Sequence, residues 1–524
     1  MAGRGSWVAC ALATMATMAT AQAPIDPAGL PGTRFLVGGG KAPAAVYERF
    51  LSLCGGTEAR IVLIPTASSS ADTEAGRDKT LATWREDHPG VHFELLHTRD
   101  RAVADDEAFC APLRAATGVW LGGGAQELLA KAYLGTRVER ELNALLARGG
   151  VVGGTSAGTA IQTRPMIQEG MDPPVIADGF DFVPGAIADQ HFLVRERLPR
   201  LLLALAARPG HFGLGIDEGT AVEICGRDLR VHGRSKALLV LAAGAGREQR
   251  IVELQAGDRA DLVTWQRAAR DRAGEPWPPA ALPTPEVEHG ALVIVGGGRV
   301  PPAIVQRFVA LAGGEHAKVV LVPGAMPREG RAPEPFARLL RGAGVTAIRE
   351  LDCSHPREVT AEALAVLDDA TAVWFGGGRQ WRLCDAFDGT AAVAKFRAVL
   401  ERGGVIGGSS AGATIQGGFL VRGNPLGNTD MWCEGYDRGF AFLPGCAIDQ
   451  HFLARDRVGD LTALHRRLPQ LTCLGIDEGT AAIVSGTTLE VVGASKVAVF
   501  APNAAAPAWL EPGQRWSFAD RQVR

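Results

Sequence analysis

Val151-Val-Gly-Gly-Thr-Ser156-Ala-Gly158 and Val405-Ile-Gly-Gly-Ser-Ser410-Ala-Gly412 are the two stretches on which the reading of this chain turns. A short β-branched run that breaks into Gly-x-Ser-x-Gly reads as a buried strand turning sharply into a helix. Small neighbours are needed because the turn is crowded. The middle serine is then held at the end of the strand, beside a helix N-terminus. The N–H of the next residue, Ala157 or Ala411, is placed to donate to an oxyanion. One such pentapeptide also fits a Gly-Ser turn that merely caps a helix. Two, in matched surroundings, call for a wider comparison.

That comparison shows an internal repeat. Thr33-Arg-Phe-Leu-Val-Gly-Gly-Gly40 matches Ala291-Leu-Val-Ile-Val-Gly-Gly-Gly298, and Val119-Trp-Leu-Gly-Gly-Gly124 matches Val373-Trp-Phe-Gly-Gly-Gly378. Asp189-Gln-His-Phe-Leu193 matches Asp449-Gln-His-Phe-Leu453, and Leu214-Gly-Ile-Asp-Glu-Gly-Thr-Ala221 matches Leu474-Gly-Ile-Asp-Glu-Gly-Thr-Ala481. Ser410 lies 254 residues after Ser156, whereas His451 lies 260 after His191, so the second copy carries six extra residues between them. A period this long is a whole-domain duplication rather than a solenoid. The expected organisation is a targeting segment over 1–23, a first domain over 24–270, a Pro-rich linker over 271–289 and a second domain over 290–524.

Within each copy, apolar runs ending in glycine alternate with helical patterns. Ala44 to Cys54 and Ala303 to Ala312 read as helices after the first strand; Leu142 to Arg148 and Phe396 to Arg402 read as helix ends before the elbow. Strands separated by helices predict an α/β fold whose mainly parallel sheet is buried on both faces. Such sheets place their chemistry at the carboxyl ends of strands, where the glycine-rich pieces fall.

The chain has 524 residues, 47% hydrophobic and 21% charged, with a net charge of -3, which excludes a basic nucleic-acid footprint. Arg4, the apolar run Trp7 to Ala13 and the small residues through Ala23 read as a signal peptide, so the protein is expected to be exported, to the periplasm or beyond the cell. No stretch reads as a transmembrane helix, and no membrane partner is expected after cleavage. Of nine cysteines, Cys10 would leave with the signal. Cys433 and Cys446, which flank one loop, are the first pair to consider for a disulfide. No cysteine spacing suggests zinc, and no cofactor is expected.

A serine nucleophile needs a base, and each copy offers one, His191 or His451. The base needs an orienting carboxylate; Asp217-Glu218 and Asp477-Glu478 each offer two. The chain order Ser, His, acid differs from that of the α/β-hydrolases. Gly122-Gly-Gly124 and Gly376-Gly-Gly378 fit neither GxGxxG nor a Walker pattern. Close backbone approach to a substrate carbonyl suits them better, with Gln126 and Gln380 reaching in.

Together these motifs resemble cyanophycinase and its relatives in serine peptidase family S51, over nearly all of both halves. The resemblance implies a flavodoxin-like, class-I-glutamine-amidotransferase-like three-layer sandwich, repeated in tandem. It implies Ser-His-Glu triads at Ser156, His191, Glu218 and at Ser410, His451, Glu478. It further implies substrate contacts at Gln126, Asp189, Gln190, Arg195, Arg197 and Arg200, and at Gln380, Asp449, Gln450, Arg455 and Arg457. The substrate implied is cyanophycin, a polyaspartate whose β-carboxyls carry arginine, cut to β-Asp-Arg. Arginines would grip its carboxylates, and Asp189 and Asp449 its guanidinium groups. Family members usually have one such domain, and Ala125 and Arg379 stand where a polar residue such as Asp is common. Asp460 stands where the family has an arginine. A like charge about 4 Å from a substrate carboxylate would cost on the order of 4 kcal/mol at an effective dielectric of about 20. The copy around Ser156 is therefore expected to be the main site. An aspartyl or isoaspartyl dipeptidase, and one catalytic domain joined to a polymer-binding one, stay open as other readings; a glutamine amidotransferase is disfavoured because both elbows carry serine. A pseudo-dimer of the two halves is expected.

Overall fold

The computed structural model describes residues 24–329, 331 and 335–524. The expected signal peptide, with Cys10, lies outside the described residues. Each half is built on one large mixed sheet. In the first half its parallel block runs Leu30–Val37, Val151–Thr155, Gly118–Leu121, Arg60–Ile64 and His92–Leu95, in spatial order. The antiparallel strands Thr220–Gly226, Asp228–Gly233 and Arg259–Asp261 extend it past Leu30–Val37. The elbow strand is thus central. The second half repeats the block with Val287–Val295, Val405–Ser409, Ala372–Phe375, Lys318–Val322 and Ala347–Glu350.

The strands are apolar throughout because both faces are covered. Ile61 and Leu63 pack with Val46 and Phe50 of helix Ala44–Leu53. Val62 and Ile64 point the other way, to Leu129 of helix Gln126–Tyr133 and Leu142 and Leu145 of helix Arg137–Ala147. Val138, Leu142, Leu145 and Leu146 form the single buried stripe of that last helix. Arg148 ends it with a pair of backbone bonds, Gly149 N–H to Leu146 O and Gly150 N–H to Leu145 O, which turn the chain straight into the elbow strand.

One architectural feature differs from a single parallel sheet. The strands before the histidine and the glutamate, Ala186–Gln190 and Phe212–Ile216, are parallel neighbours in a separate four-stranded sheet with Ala237–Leu241 and Arg250–Leu254. In the second half Leu443–Gln450 and Thr472–Ile476 do the same in a five-stranded sheet. Leu214 and Ile216 pack with Leu36 and Val222 of the main sheet, which fixes one sheet on the other.

Three expectations are corrected here. The second half begins at Val287, which pairs with Gly486, and the first runs to the end of helix Leu262–Arg272, so the linker is shorter than 271–289 at both ends. Cys433 and Cys446 are not joined: all eight described cysteines are free thiols, and both of these are buried.

The halves share an interface, but not by two-fold exchange. Arg227, Arg247, Arg267 and Arg272 all come from the first half and meet Asp385, Asp388, Glu434 and Asp437 of the second. A two-fold relation would return each contact. Lys131, which stands at the position matching Asp385, instead pairs with Glu127 of its own helix. The six-residue insertion adds to this asymmetry. It lies in the loop 423–437, which brings Glu434, Tyr436 and Asp437 onto the first half; Gly435 packs against helix Leu262–Arg272, where a Cβ would meet Thr264 O at 2.6 Å. Asp437 is 1% exposed and accepts from Arg247 at 2.8 Å and from the Trp432 indole at 2.8 Å. Arg247→Ala leaves that carboxylate buried without its charge partner. We expect a loss of about 3 kcal/mol or more, read from urea unfolding, with Arg247→Lys recovering only part of it.

Candidate active site

The elbow serines sit in a backbone region that L-residues avoid: φ is 53° at Ser156 and 56° at Ser410. Close packing holds them there. A Cβ on Gly154 would meet Gly158 O at 2.3 Å, and one on Gly158 would meet Leu121 O at 2.1 Å. The Ser156 N–H donates to Val37 O at the end of the neighbouring strand, as Ser410 N–H does to Val295 O. Ala157 and Ala411 open the short helices that follow, so their N–H groups have no acceptor one turn back. Gly123 adjoins this point, where an added Cβ would lie 3.5 Å from Ser156 Cβ.

The second sheet brings the base and the acid. His191 Nε2 lies 2.9 Å from Ser156 Oγ, and His191 Nδ1 lies 2.6 Å from Glu218 Oε1. In the second half His451 Nε2 lies 2.9 Å from Ser410 Oγ and Nδ1 2.5 Å from Glu478 Oε1. A carboxylate only accepts, so Nδ1 carries the proton and Nε2 is free to accept from the serine hydroxyl. Of the two acids in each Asp-Glu pair, glutamate faces the imidazole. Asp217 accepts from the Leu193 and Val194 N–H groups and from Ser235 Oγ, pinning the turn after the histidine; Asp477 does so with Leu453, Ala454 and Ser495. These bonds hold both aspartates below the usual carboxylate range, against the upward push of burial.

The glycines ending the first strand are part of this site, a role the sequence reading missed. A Cβ on Gly39 would lie 2.3 Å from His191 Cε1, and one on Gly40 2.6 Å from Glu218 Oε2; Gly297 and Gly298 stand in the same relation to His451 and Glu478. The His191 N–H donates to Gly38 O at 2.6 Å. The signal was present in the matched Gly-Gly-Gly runs at 38–40 and 296–298.

The expected substrate-binding residues divide into three groups. Gln126 and Gln380 are buried and spend their amide N–H groups on backbone: Gln126 on Ile167 O and Gln168 O, Gln380 on Val421 O and Arg422 O. Asp189 is fully buried and accepts from Arg200 at 2.7 and 2.5 Å and from Arg197 at 3.4 Å. The expectation that it faces a substrate guanidinium is therefore corrected: its partners are the chain's own arginines. Arg200 is spent likewise, its remaining Nη1 donating to Gly170 O. Arg197 Nη1 donates to Gln190 O, and burial pulls this guanidinium down to about 10 against the pull of Asp189. Arg195 and Arg455 are exposed, and their side chains bond to none of the described residues.

Asp460 is the clearest correction. It does not stand as a lone charge: its half-exposed carboxylate is paired with the chain's own Arg422. Arg422 donates to both oxygens of the buried Asp449 at 2.9 Å and to Asp460 Oδ2 at 2.8 Å. Arg422 stands at the position of Gln168, since the backbone carbonyls that Gln126 and Gln380 hold are those of 167–168 and 421–422. The two copies thus give the same buried aspartate a guanidinium from different elements: Arg200 on the helix Leu198–Ala207, or Arg422 beyond the elbow. Arg457 Nη1 also reaches Asp449, at 3.4 Å, and Gln450 Oε1, at 2.9 Å. Arg422→Gln leaves Asp449 underpaired and should destabilise the protein by about 3–5 kcal/mol. Arg422→Gln combined with Asp460→Arg rebuilds the first copy's arrangement and should restore most of that loss, as read by thermal unfolding.

The model for peptidase family S51 matches residues 35–232 and 292–492. A cyanophycinase of Trichormus variabilis is 33% identical over 206 residues, covering 37% of this chain and 67% of that relative. A cyanophycinase of Synechococcus elongatus is 32% identical over 204 residues, covering 37% and 62%. Among solved structures, a peptidase from an acI-B1 Actinobacterium matches 45% of this chain and 98% of its own, at 20% identity and a TM-score of 0.38. The chain belongs to peptidase family S51, carries that family's domain twice, and is a serine-type peptidase.

Proposed function

We propose that the protein is a cyanophycinase-type exopeptidase that releases β-Asp-Arg from an arginylated polyaspartate at two sites, Ser156 and Ser410. The observation that carries this reading is the hydrogen-bonded Ser-His-Glu relay, closed in both halves. In each, the serine Oγ attacks the α-peptide carbonyl as its proton passes to histidine Nε2. Glutamate stabilises the imidazolium through Nδ1–H, and the oxyanion turns to the N–H of Ala157 or Ala411. The imidazolium then protonates the leaving amine, and water, activated by the same histidine, hydrolyses the acyl-enzyme. The curated relatives named cyanophycinases support the substrate class. The exposed, unpaired Arg195 and Arg455 are among the groups available for the polymer's carboxylates. Export, expected from residues 1–23, belongs to the same reading, and cell fractionation would test it.

Incubation with insoluble cyanophycin, followed by assay of soluble dipeptide, tests the substrate. Ser156→Ala and Ser410→Ala should each retain release, and the double variant should lose it by about 10⁴-fold or more. No release by folded wild-type protein, with hydrolysis of short aspartyl dipeptides, would favour the dipeptidase reading. Burial lowers His451 below the ordinary histidine value of 6.5, and Arg455 and Arg457 push the same way against Glu478. The base must be neutral to act. In the Ser156→Ala protein, the acid limb of kcat/KM should therefore have its midpoint below 6.5, and Arg455→Gln should move it upward.

A further inference from the structure

A pocket of about 600 Å³ opens beside Ser156, away from the Asp189 cluster. Gly123 and Thr155, which flank the serine, form one end. Tyr47, Trp84 and Trp120 form an aromatic wall, with ring centroids 5.8 Å apart for Tyr47–Trp84, 5.6 Å for Tyr47–Trp120 and 5.3 Å for Trp84–Trp120. Two charged side chains line it, Lys41 from the glycine turn beneath the triad and Asp87 from the end of helix Glu74–Asp87. Neither forms a hydrogen bond or ion pair with its side chain among the described residues. Burial, and then the Asp87 charge, push the Tyr47 hydroxyl upward.

The second half is built differently at the same place. Trp374 matches Trp120 in the sheet, opposite Leu321 as Trp120 is opposite Leu63. Phe336 lies flat on it, centroids 3.5 Å apart at 8°, and is 2% exposed. Val305, at the position of Tyr47, is buried in the same cluster.

We infer that the pocket beside Ser156 binds the guanidinium-bearing side chain of the substrate residue at the scissile bond, stacked on Tyr47, Trp84 and Trp120 and paired with Asp87, and that the Ser410 site lacks this subsite. Asp87 is exposed and makes no side-chain pair, so a cationic occupant gains a charge pair there that a neutral aromatic one does not. A guanidinium is planar and weakly hydrated, stacks on aromatic faces and pairs bidentately with a carboxylate. Lys41, at the triad end, faces the α-carboxylate that a β-linked arginine carries. This inference rests on the substrate class proposed above.

The test uses two oligomers, (β-Asp-Arg)₃ and the same peptide with citrulline, whose urea group keeps the shape and removes the charge. In the Ser410→Ala protein, kcat/KM should favour the arginine peptide by about tenfold or more. Asp87→Asn should remove most of that preference, and Trp84→Ala should lower hydrolysis of the arginine peptide more than that of the citrulline peptide. In the Ser156→Ala protein the two peptides should be cut at similar rates. Equal rates in the Ser410→Ala protein, or a preference that survives Asp87→Asn, overturns the inference. If neither peptide is cut by any variant, the proposed function fails, and calorimetric binding to the Ser156→Ala/Ser410→Ala protein decides the pocket separately. Tighter binding of the arginine peptide, lost on Asp87→Asn, upholds it; equal or absent binding overturns it.

Discussion

The contact of the histidine ring with the glycine turn at the end of the first strand is the constraint around which each half is arranged. With His191 Cε1 only 2.3 Å from where a Gly39 Cβ would stand, there is room for imidazole or for a side chain, not both. The same turn carries Gly40 against Glu218 and receives the His191 N–H on Gly38 O. One backbone segment therefore sets the base and the acid, while its own strand ends in Val37, whose carbonyl receives the elbow N–H. Two sheets meet at this point, and the relay is the seam between them.

The seam explains why the chemistry survived duplication while its surroundings diverged. Ser410, His451 and Glu478 keep distances within 0.1 Å of those of the first copy. The buried aspartate behind the histidine strand tolerates a guanidinium from either of two elements, because burial demands a counter-charge and not a particular source. Hence Arg200 could give way to Asp460 once Arg422 was present. The inserted loop that starts just beyond Arg422 also carries Glu434 and Asp437, two of the four acids that meet the first half's arginines. The second half is thus tied to the first through this loop and through Asp385 and Asp388 at the end of helix Gln380–Phe387.

The duplication, the central elbow strand, the flanking helices and the triad residues were legible in the sequence. Each depends on local pattern: apolar runs ending in glycine, amphipathic stripes such as Val138, Leu142 and Leu145, and motifs repeated at one offset. The roles of the charged residues were not legible. Asp189, Arg197 and Arg200 read as a substrate-gripping row, yet fold into one buried cluster with their charges largely spent on one another. Whether a carboxylate faces a ligand or an arginine depends on what lies across the fold, and sequence spacing carries no record of that.

The sequence by itself determined the two α/β halves and the serine, histidine and glutamate of each, because strand and helix periodicity and steric demand at tight turns act within a few residues. Tertiary structure alone decided the separate sheet that presents the histidine, the unsymmetrical interface, the exchange of Arg200 for Arg422, and the open aromatic pocket in one half where Phe336 fills the other. Those outcomes arise from charges and side-chain volumes that meet across tens to hundreds of residues of chain, where packing and desolvation rather than local pattern choose the partner.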